Sequence, residues 1–522
     1  MFGSQSMNIT ATTYTINPGS TFTWVATGVP SQTLSDAFIR YGAIVFGSAH
    51  PGGGRRQLAD AASKAATAAT TITGVDVNVA SSDQSLTLET DESYTLTVAA
   101  PRATITAKTV YGALHGLETF SQLVDRQTFI DGASVADAPR FQFRASMIDT
   151  SRHWYPLTTI KAHLDAMAYN KLNVLHWHIV DSVSFPFCST TFPSLCAEGA
   201  YTARQVYTHD DVAMIVQYAL KRGIRVLPEF DTPGHVQKGL ETIPNLLTPC
   251  YGSDGKPDGT TGPMNPILNS TYEFLTKFYA EVKAVFPDKF VHVGGDEVSF
   301  NCWQSNPDIQ KWMAAHASTV PTYADLESYY EVQLLKILEA QGSSYMVWEE
   351  IFDNGVKILP DTVVDVWKGG DWTTTMGKVT QAGFHSVLSA PFYLNYISYG
   401  LDWTKYYAVE PTAFTCPDPT KPCDKSLVGG VEFCMWSEFV DATNFLPRVW
   451  PRGSAVAERG WSTQDTTDVK DAQVRIQEFR CKLLQRGVPA EPISSGGQPP
   501  PGGAFCSPEW YAPYNPPWGA QS

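Results

Sequence analysis

Hydrophobic and polar positions follow two regimes along this chain. Up to about residue 140, short β-rich stretches carry apolar residues at every second position, over 75–79, 86–88 and 94–98. That period predicts half-buried strands. A single stretch, 110–124 (VYGALHGLETFSQLV), has helical spacing. The pattern predicts a small α/β domain with an antiparallel sheet over residues 1–140, and no cluster of chemically useful side chains lies within it.

From Phe143 the pattern changes. β-rich runs at 145–149, 174–178, 224–229, 290–294, 345–348, 363–367, 386–390 and 427–435 alternate with amphipathic helices. One helix covers 157–169, with Pro156 suited to a first turn; another covers 210–222, with Thr208 as candidate cap. Eight strands joined by helices predict a parallel sheet closed as a (β/α)8 TIM barrel over residues 141–490. A helix over 469–486 follows the last strand. The tail, 491–522, is rich in Gly and Pro and reads as an extended strap pinned by Cys506.

Composition narrows the classes. With 522 residues the chain exceeds one ordinary core, and 43% hydrophobic against 17% charged residues marks a folding chain rather than a disordered one. A net charge of −15 argues against nucleic acid, which needs a basic face. No apolar run approaches the roughly 18–20 residues that span a bilayer, so no membrane span is expected. The first ten residues have neither a charged nor an apolar leader segment, and a targeting segment is expected to be missing from this sequence. None of the nine cysteines has C-x-x-C spacing; eight fall in spaced pairs within loops, Cys188/Cys196, Cys250/Cys302, Cys416/Cys423 and Cys481/Cys506. Such pairs suggest disulfides and an oxidising compartment. With the sequons at Asn8 and Asn269, they point to a secreted or lysosomal/vacuolar protein.

Barrel enzymes carry their chemistry where strands end and loops begin. The fourth strand ends in Gly294, Gly295, Asp296 and Glu297. Adjacent strand residues point to opposite faces, so neighbouring carboxylates are poorly placed as the acid and nucleophile that flank a sugar about 5–5.5 Å apart. One can protonate a leaving oxygen. If the nucleophile is a 2-acetamido oxygen of the substrate, the other can hold the acetamido N–H and offset the charge of a cyclic intermediate. Strand one leads to Arg152, whose planar fork suits vicinal hydroxyls or an ion pair with Asp149. Strand two gives His176, His178 and then Asp181; strand three leads to His235. His176 reads as structural. Asp181 and His235 are placed for a relay that tunes a nearby acid. Trp348, Trp367 and Trp436 follow separate strands and could wall a pocket, with Tyr393, Asn395 and Glu438 as polar candidates.

These segments resemble the β-N-acetylhexosaminidases of glycoside hydrolase family 20, of the eukaryotic lysosomal or secreted type. HVGGDEV and EFDTPGH are the most specific; IDTSRHWYP, NKLNVLHWHIVDS, APFYLNYISYG, FCMWSEFVDATN and PRVWPRGSAVAERGWS support them. The resemblance covers the chain from about residue 14 to Cys506. It implies release of terminal N-acetylglucosamine or N-acetylgalactosamine from glycans or chitooligosaccharides with retention, without cofactor or metal. Glu297 then resembles the general acid/base, Asp296 the group that orients the acetamide, and Tyr393 its second hydrogen-bond partner. Trp348, Trp367 and Trp436 resemble pocket walls, Arg152 and Glu438 the grip on outer hydroxyls, and Asp181 with His235 the support of the acid. The pairs Cys250–Cys302 and Cys481–Cys506 match the family; Cys188–Cys196 and Cys416–Cys423 follow from local spacing, leaving Cys434 as a buried thiol. Departures are Tyr396 after Asn395, where a base would favour 6-sulfated sugars, and Ser182-Val183-Ser184 where relatives often carry a second acid. The loop 395–400 resembles one at a dimer interface, and Tyr399 is expected to reach a partner in a homodimer.

Two other readings start from the same residues. His176-x-His178 puts two imidazoles on one strand face, as in a metal-dependent hydrolase barrel, although later strands end in Trp rather than further ligands. A barrel that binds carbohydrate without catalysis is the other, against which the intact Asp296–Glu297 pair argues.

Overall fold

The computed structural model describes residues 5–16, 22–47, 70–125, 128–398, 400–493 and Cys506. Its first part is an eight-stranded sheet packed on two helices, Gln32–Phe46 and Val110–Leu123. The sheet is mixed rather than antiparallel. Thr23–Gly28, Gly74–Val79 and Ala103–Ala107 lie side by side in parallel, while Tyr94–Val98, Phe129–Asp137 and Ser6–Ile16 continue it antiparallel. The cause is Gln32–Phe46, a helix the sequence pattern did not yield, which lies between the first two parallel strands in the chain. The run 86–88 is no strand. Thr87 and Thr90 satisfy their own backbone locally, with Thr87 N–H donating to Thr90 Oγ1 (2.9 Å) and Glu89 N–H to Thr87 Oγ1 (3.2 Å). The alternation still has a use, because Leu86 and Leu88 each pack on a core.

The second part is a closed barrel of eight parallel strands: Phe143–Asp149, Val174–Val180, Arg225–Phe230, Phe290–His292, Ser344–Trp348, Val363–Val366, His385–Leu388 and Val428–Met435. Closure runs from Gly430 against Phe143 to Met435 against Ile148. Helix Leu157–Tyr169 starts after Pro156 in extended backbone, and His209–Leu220 opens on a capping box between Thr208 and Asp211. The fourth strand stops early because Gly294 (φ 73°) and Gly295 (φ 91°) leave the β region for one that only glycine enters freely.

Four disulfides join Cys188 to Cys196, Cys250 to Cys302, Cys416 to Cys423 and Cys481 to Cys506, and Cys434 is a buried free thiol. Cys506 is thereby tied to helix Val469–Gln485; the rest of the tail beyond 493 lies outside the described residues. Asn8 and Asn269 are exposed. Among the described residues no helix is long and apolar enough to cross a membrane.

Buried charge holds sheet and barrel together. Glu92 beside the sheet accepts both Arg144 guanidinium N–H groups (2.7 and 2.9 Å) from the first barrel strand and meets His115 at 2.8 Å. Nearby, Lys171 donates to Asp137 (3.0 Å), which also accepts from Trp461 Nε1 (3.0 Å). Burial opposes ionisation of Glu92, but Arg144 and His115 outweigh it and hold its carboxyl down at about 2. A carboxyl lowered on folding contributes stability above its unfolded value near 4.5, and that share is lost as pH falls towards about 2. Glu92→Gln should therefore lower stability by about 3–5 kcal/mol at neutral pH. It should also flatten the loss between pH 4.5 and 2, measured by denaturant unfolding across that range.

Candidate active site

The loop after the fourth strand is built by close approach. Gly294 N–H donates to His292 Nδ1 (3.1 Å), Trp348 N–H to Gly294 O (3.0 Å) and Gly295 N–H to Asp231 Oδ1 (3.0 Å). A Cβ on Gly294 would overlap the Asp231 carboxylate, and one on Gly295 the Ile351 side chain. The turn sends the next two carboxylates into different surroundings. Asp296 is 7% exposed, and its carboxyl shares a hydrogen bond with that of Asp231. The Glu297 side chain is 62% exposed, on a backbone with φ 51°.

A line of charge leads to this pair. Arg152 lies 3.3 Å from Asp149 and 2.8 Å from Asp181, with its guanidinium 4.9 Å from the centre of the Trp436 ring. Asp181 Oδ2 meets His235 Nδ1 at 3.4 Å, and His235 Nε2 stands 3.6 Å from both Asp296 Oδ2 and Glu297 Oε2. Burial disfavours charge on Asp181, but His178, His235 and Arg152 hold its carboxyl well below the usual range. Burial likewise opposes protonation of His235, yet Asp181 and Asp296 raise it. Burial raises Asp296, with Glu229 adding to the effect and His235 opposing it. Asp231 is raised much further, by burial and then by the charges of Asp296 and Glu229.

Beneath lies a buried ionic array centred on Glu229. Glu229 Oε2 is 3.0 Å from His176 Nε2 and 2.6 Å from His178 Nδ1; Glu229 Oε1 accepts from Trp348 Nε1 (2.8 Å) and lies 3.4 Å from His292. Glu432 takes the other nitrogen of His176 (3.0 Å), and Asp181 that of His178 (2.9 Å). His176 is structural, as read. Both nitrogens of each ring lie against carboxylates, so His176 and His178 sit within an ion-pair network.

Aromatic rings make the walls. Trp367 faces Tyr393 (centroids 6.2 Å) and meets Trp348 edge-on (6.5 Å); Trp436 stands 6.3 Å from Trp348 and 4.8 Å from His178. Tyr393 is bridged by its backbone to Cys434, and burial keeps its phenol protonated and able to donate. Arg152, Asp181, His235, Asp296, Glu297, Trp348, Trp367, Tyr393 and Trp436 are thus brought together. Glu438 is exposed and acts on Arg152 through its charge. The Asn395 backbone carbonyl accepts from Arg448 (3.2 Å), and its side-chain Oδ1 is buried without a hydrogen-bond partner among the described residues. Tyr399 lies outside the described residues. Glu229, Asp231, His292 and Glu432 were missed, although all are polar residues within or just after strand runs that are otherwise apolar.

Two family models match: "Glycosyl hydrolase family 20, catalytic domain" over residues 141–464 and "beta-acetyl hexosaminidase like" over residues 4–123. The chain is 47% identical to the β-hexosaminidase β subunit of Felis catus over 473 residues, covering 90% of this chain and 87% of that one. It is 46% identical to the α subunit of Rattus norvegicus over 471 residues, covering 89% and 87%. Among solved structures, a chitobiase from Flavobacterium johnsoniae superposes with a TM-score of 0.77 at 28% identity, over 93% of this chain and 72% of that one. A Streptomyces plicatus β-hexosaminidase with its product GlcNAc shares the fold, with a TM-score of 0.72 at 22% identity over 94% and 96%.

The ionic array predicts a pH dependence. Burial opposes charge on His176 and His178, but Glu432, Glu229 and Asp181 outweigh it and push both imidazoles up to about 10. Groups raised on folding contribute fully below their unfolded value of 6.5 and lose that share as pH rises towards about 10. Thermal melts should therefore show Tm falling across pH 6.5 to 10. Glu229→Gln, which breaks a buried pair, should lower stability by about 3–5 kcal/mol and make that slope shallower; an equal slope in both proteins contradicts the assignment.

Proposed function

The chain belongs to glycosyl hydrolase family 20 and is a β-N-acetylhexosaminidase acting on terminal N-acetylhexosamines, and from that premise we propose its route: retention, with the substrate's own acetamido oxygen as nucleophile. The observation that carries this reading is the contrast within the carboxylate pair. Asp296 is buried, while Glu297 projects into solvent from the next residue. Neighbours so divided do not straddle a sugar as acid and nucleophile. In the first step Glu297 gives its proton to the leaving oxygen as the C1–O bond breaks, and the acetamido carbonyl oxygen bonds to C1. Asp296 accepts the acetamido N–H and offsets the positive charge of the ring so formed; Tyr393 donates to the oxygen. In the second step the Glu297 carboxylate takes a proton from water, whose oxygen bonds to C1 as the ring reopens. Two inversions leave the β configuration.

The remaining roles extend this reading. Trp348, Trp367 and Trp436 enclose the acetamide and sugar faces, and Arg152 with Glu438 grips the outer hydroxyls of gluco and galacto sugars. Asp181 holds His235, and the imidazolium beside both carboxylates favours the charged form of Asp296. Four disulfides support a secreted or lysosomal setting. Around the mouth, Tyr396, Ile397 (85% exposed) and Phe439 (83% exposed) are unusually bare apolar side chains. Tyr396 and Ile397 belong to the loop 395–400, which supports association of two copies there, as a homodimer.

Glu297→Gln should lower hydrolysis of a natural glycan about 10²–10⁴-fold, and of an activated aryl glycoside much less, since the amide cannot donate the proton. A loss under tenfold on the glycan refutes the acid. Replacing the 2-acetamido group with hydroxyl should depress kcat together with kcat/KM. Proton NMR of the first sugar released should show the β anomer; the α anomer means direct attack by water. Sedimentation should give a dimer at assay concentration, and a fully active monomer overturns the assembly.

A further inference from the structure

Two consecutive carboxylates behind the pocket hold one tryptophan, and neither belongs to the chemistry above. The fifth strand runs into a short helix, Glu349–Asp353. Buried Glu349 accepts from the backbone N–H of Trp367 (3.0 Å) and of Lys368 (3.2 Å). Glu350 accepts from the indole Nε1–H of the same Trp367 at 2.7 Å. Lys368 lies over both, its Nζ 3.7 Å from Glu349, 3.5 Å from Glu350 and 3.3 Å from Asp353. Trp367 is therefore held twice, by its main chain and by its ring.

The ring needs that second hold. Trp348 is buried, with its own indole N–H given to Glu229. Tyr393 is buried and bridged to the eighth strand. Trp367 is only half-buried, so packing alone leaves it room to swing away from Tyr393. An indole has a single donor, and a bond from it to a carboxylate is stronger than a neutral one and directional. We propose that Glu350 is a positioning residue that clamps the Trp367 ring against Tyr393 and so sets the size of the N-acyl group the enzyme accepts. The inference rests on the reading that these rings enclose the acetamide.

The test compares aryl β-glycosides bearing 2-acetamido, 2-propionamido and 2-hydroxyl groups in the wild-type enzyme, Glu350→Ala, Glu350→Asp and Glu350→Gln. Glu350→Ala frees the ring. The ratio of kcat/KM for propionamide over acetamide should then rise about tenfold, the scale of one lost charge-assisted hydrogen bond. The gain should come mainly from a lower KM for the larger acyl group. Glu350→Asp keeps the charge but falls one methylene short, so it should shift the ratio in the same direction. Glu350→Gln keeps an acceptor at the same reach but makes the bond neutral, so the ratio should rise by only about threefold, well short of Glu350→Ala. Wild-type ratios in Glu350→Ala and Glu350→Asp overturn the clamp. A shift in Glu350→Gln as large as in Glu350→Ala overturns it too, because charge near Asp296 would then govern selectivity. Should Glu350→Ala fail to fold, the aspartate and glutamine variants decide. If wild-type enzyme hydrolyses the 2-hydroxyl glycoside as readily as the 2-acetamido one, the enclosing pocket itself is at fault, an outcome separate from any of these.

Discussion

One buried carboxylate organises the mouth of this barrel. Glu229 sits fully enclosed on the third strand, and it persists as an anion only because it is surrounded by donors: His176, His178 and the indole of Trp348. Each donor carries the order further. Trp348 becomes a fixed wall. His178 passes it to Asp181, which holds Arg152 on one side and His235 on the other. Remove the anion and the imidazolium rings lose their reason to be charged, and Asp181 loses one of the cations that keep it ionised. The surface groups that meet a sugar are thus the outer layer of a charge-balanced interior.

The same interior separates two adjacent carboxylates chemically. The Gly294–Gly295 turn packs its backbone against Asp231 and Ile351, where any side chain would collide, and this sinks Asp296 while lifting Glu297. Burial and neighbouring anions make Asp296 reluctant to ionise, whereas His235 pulls the other way. A group so balanced responds strongly to a positive charge arriving beside it.

The sequence made much of this legible, for identifiable reasons. Barrel strands buried on both faces read as near-continuous apolar runs, and glycines followed by two acids break that pattern conspicuously. Spacing alone did not disclose the helix Gln32–Phe46, whose Ser, Asp, Arg and Gly dilute the apolar stripe, and with it went the parallel pairings of the first sheet. Glu229, His292 and Glu432 were passed over because a polar residue inside a strand gains meaning only from what stands across the barrel. Their partners are remote in sequence, His176 and Glu432 by 256 residues. The hold of Glu349 and Glu350 on Trp367 spans only 18 and 17 residues, but it joins the ends of two paired strands, and the pairing is what brings it together.

The hairpin formed by Leu247–Tyr251 and Pro257–Met264 lies outside the barrel, yet it braces the loops of both the third and fourth strands. Met264 N–H bonds Pro233 O and Gln237 reaches Thr261 on one side; on the other, Trp303 Nε1 bonds Met264 O and Cys250 is joined to Cys302, five residues after Glu297. His235 and Glu297 are therefore held in mutual register by a bracket with a covalent link at one end. Barrel integrity and a well-tuned acid are then separable properties. In a thiol-rich cytoplasm the eight strands would keep their hydrogen bonds and packing, while the bracket between His235 and Glu297 would lose its covalent end.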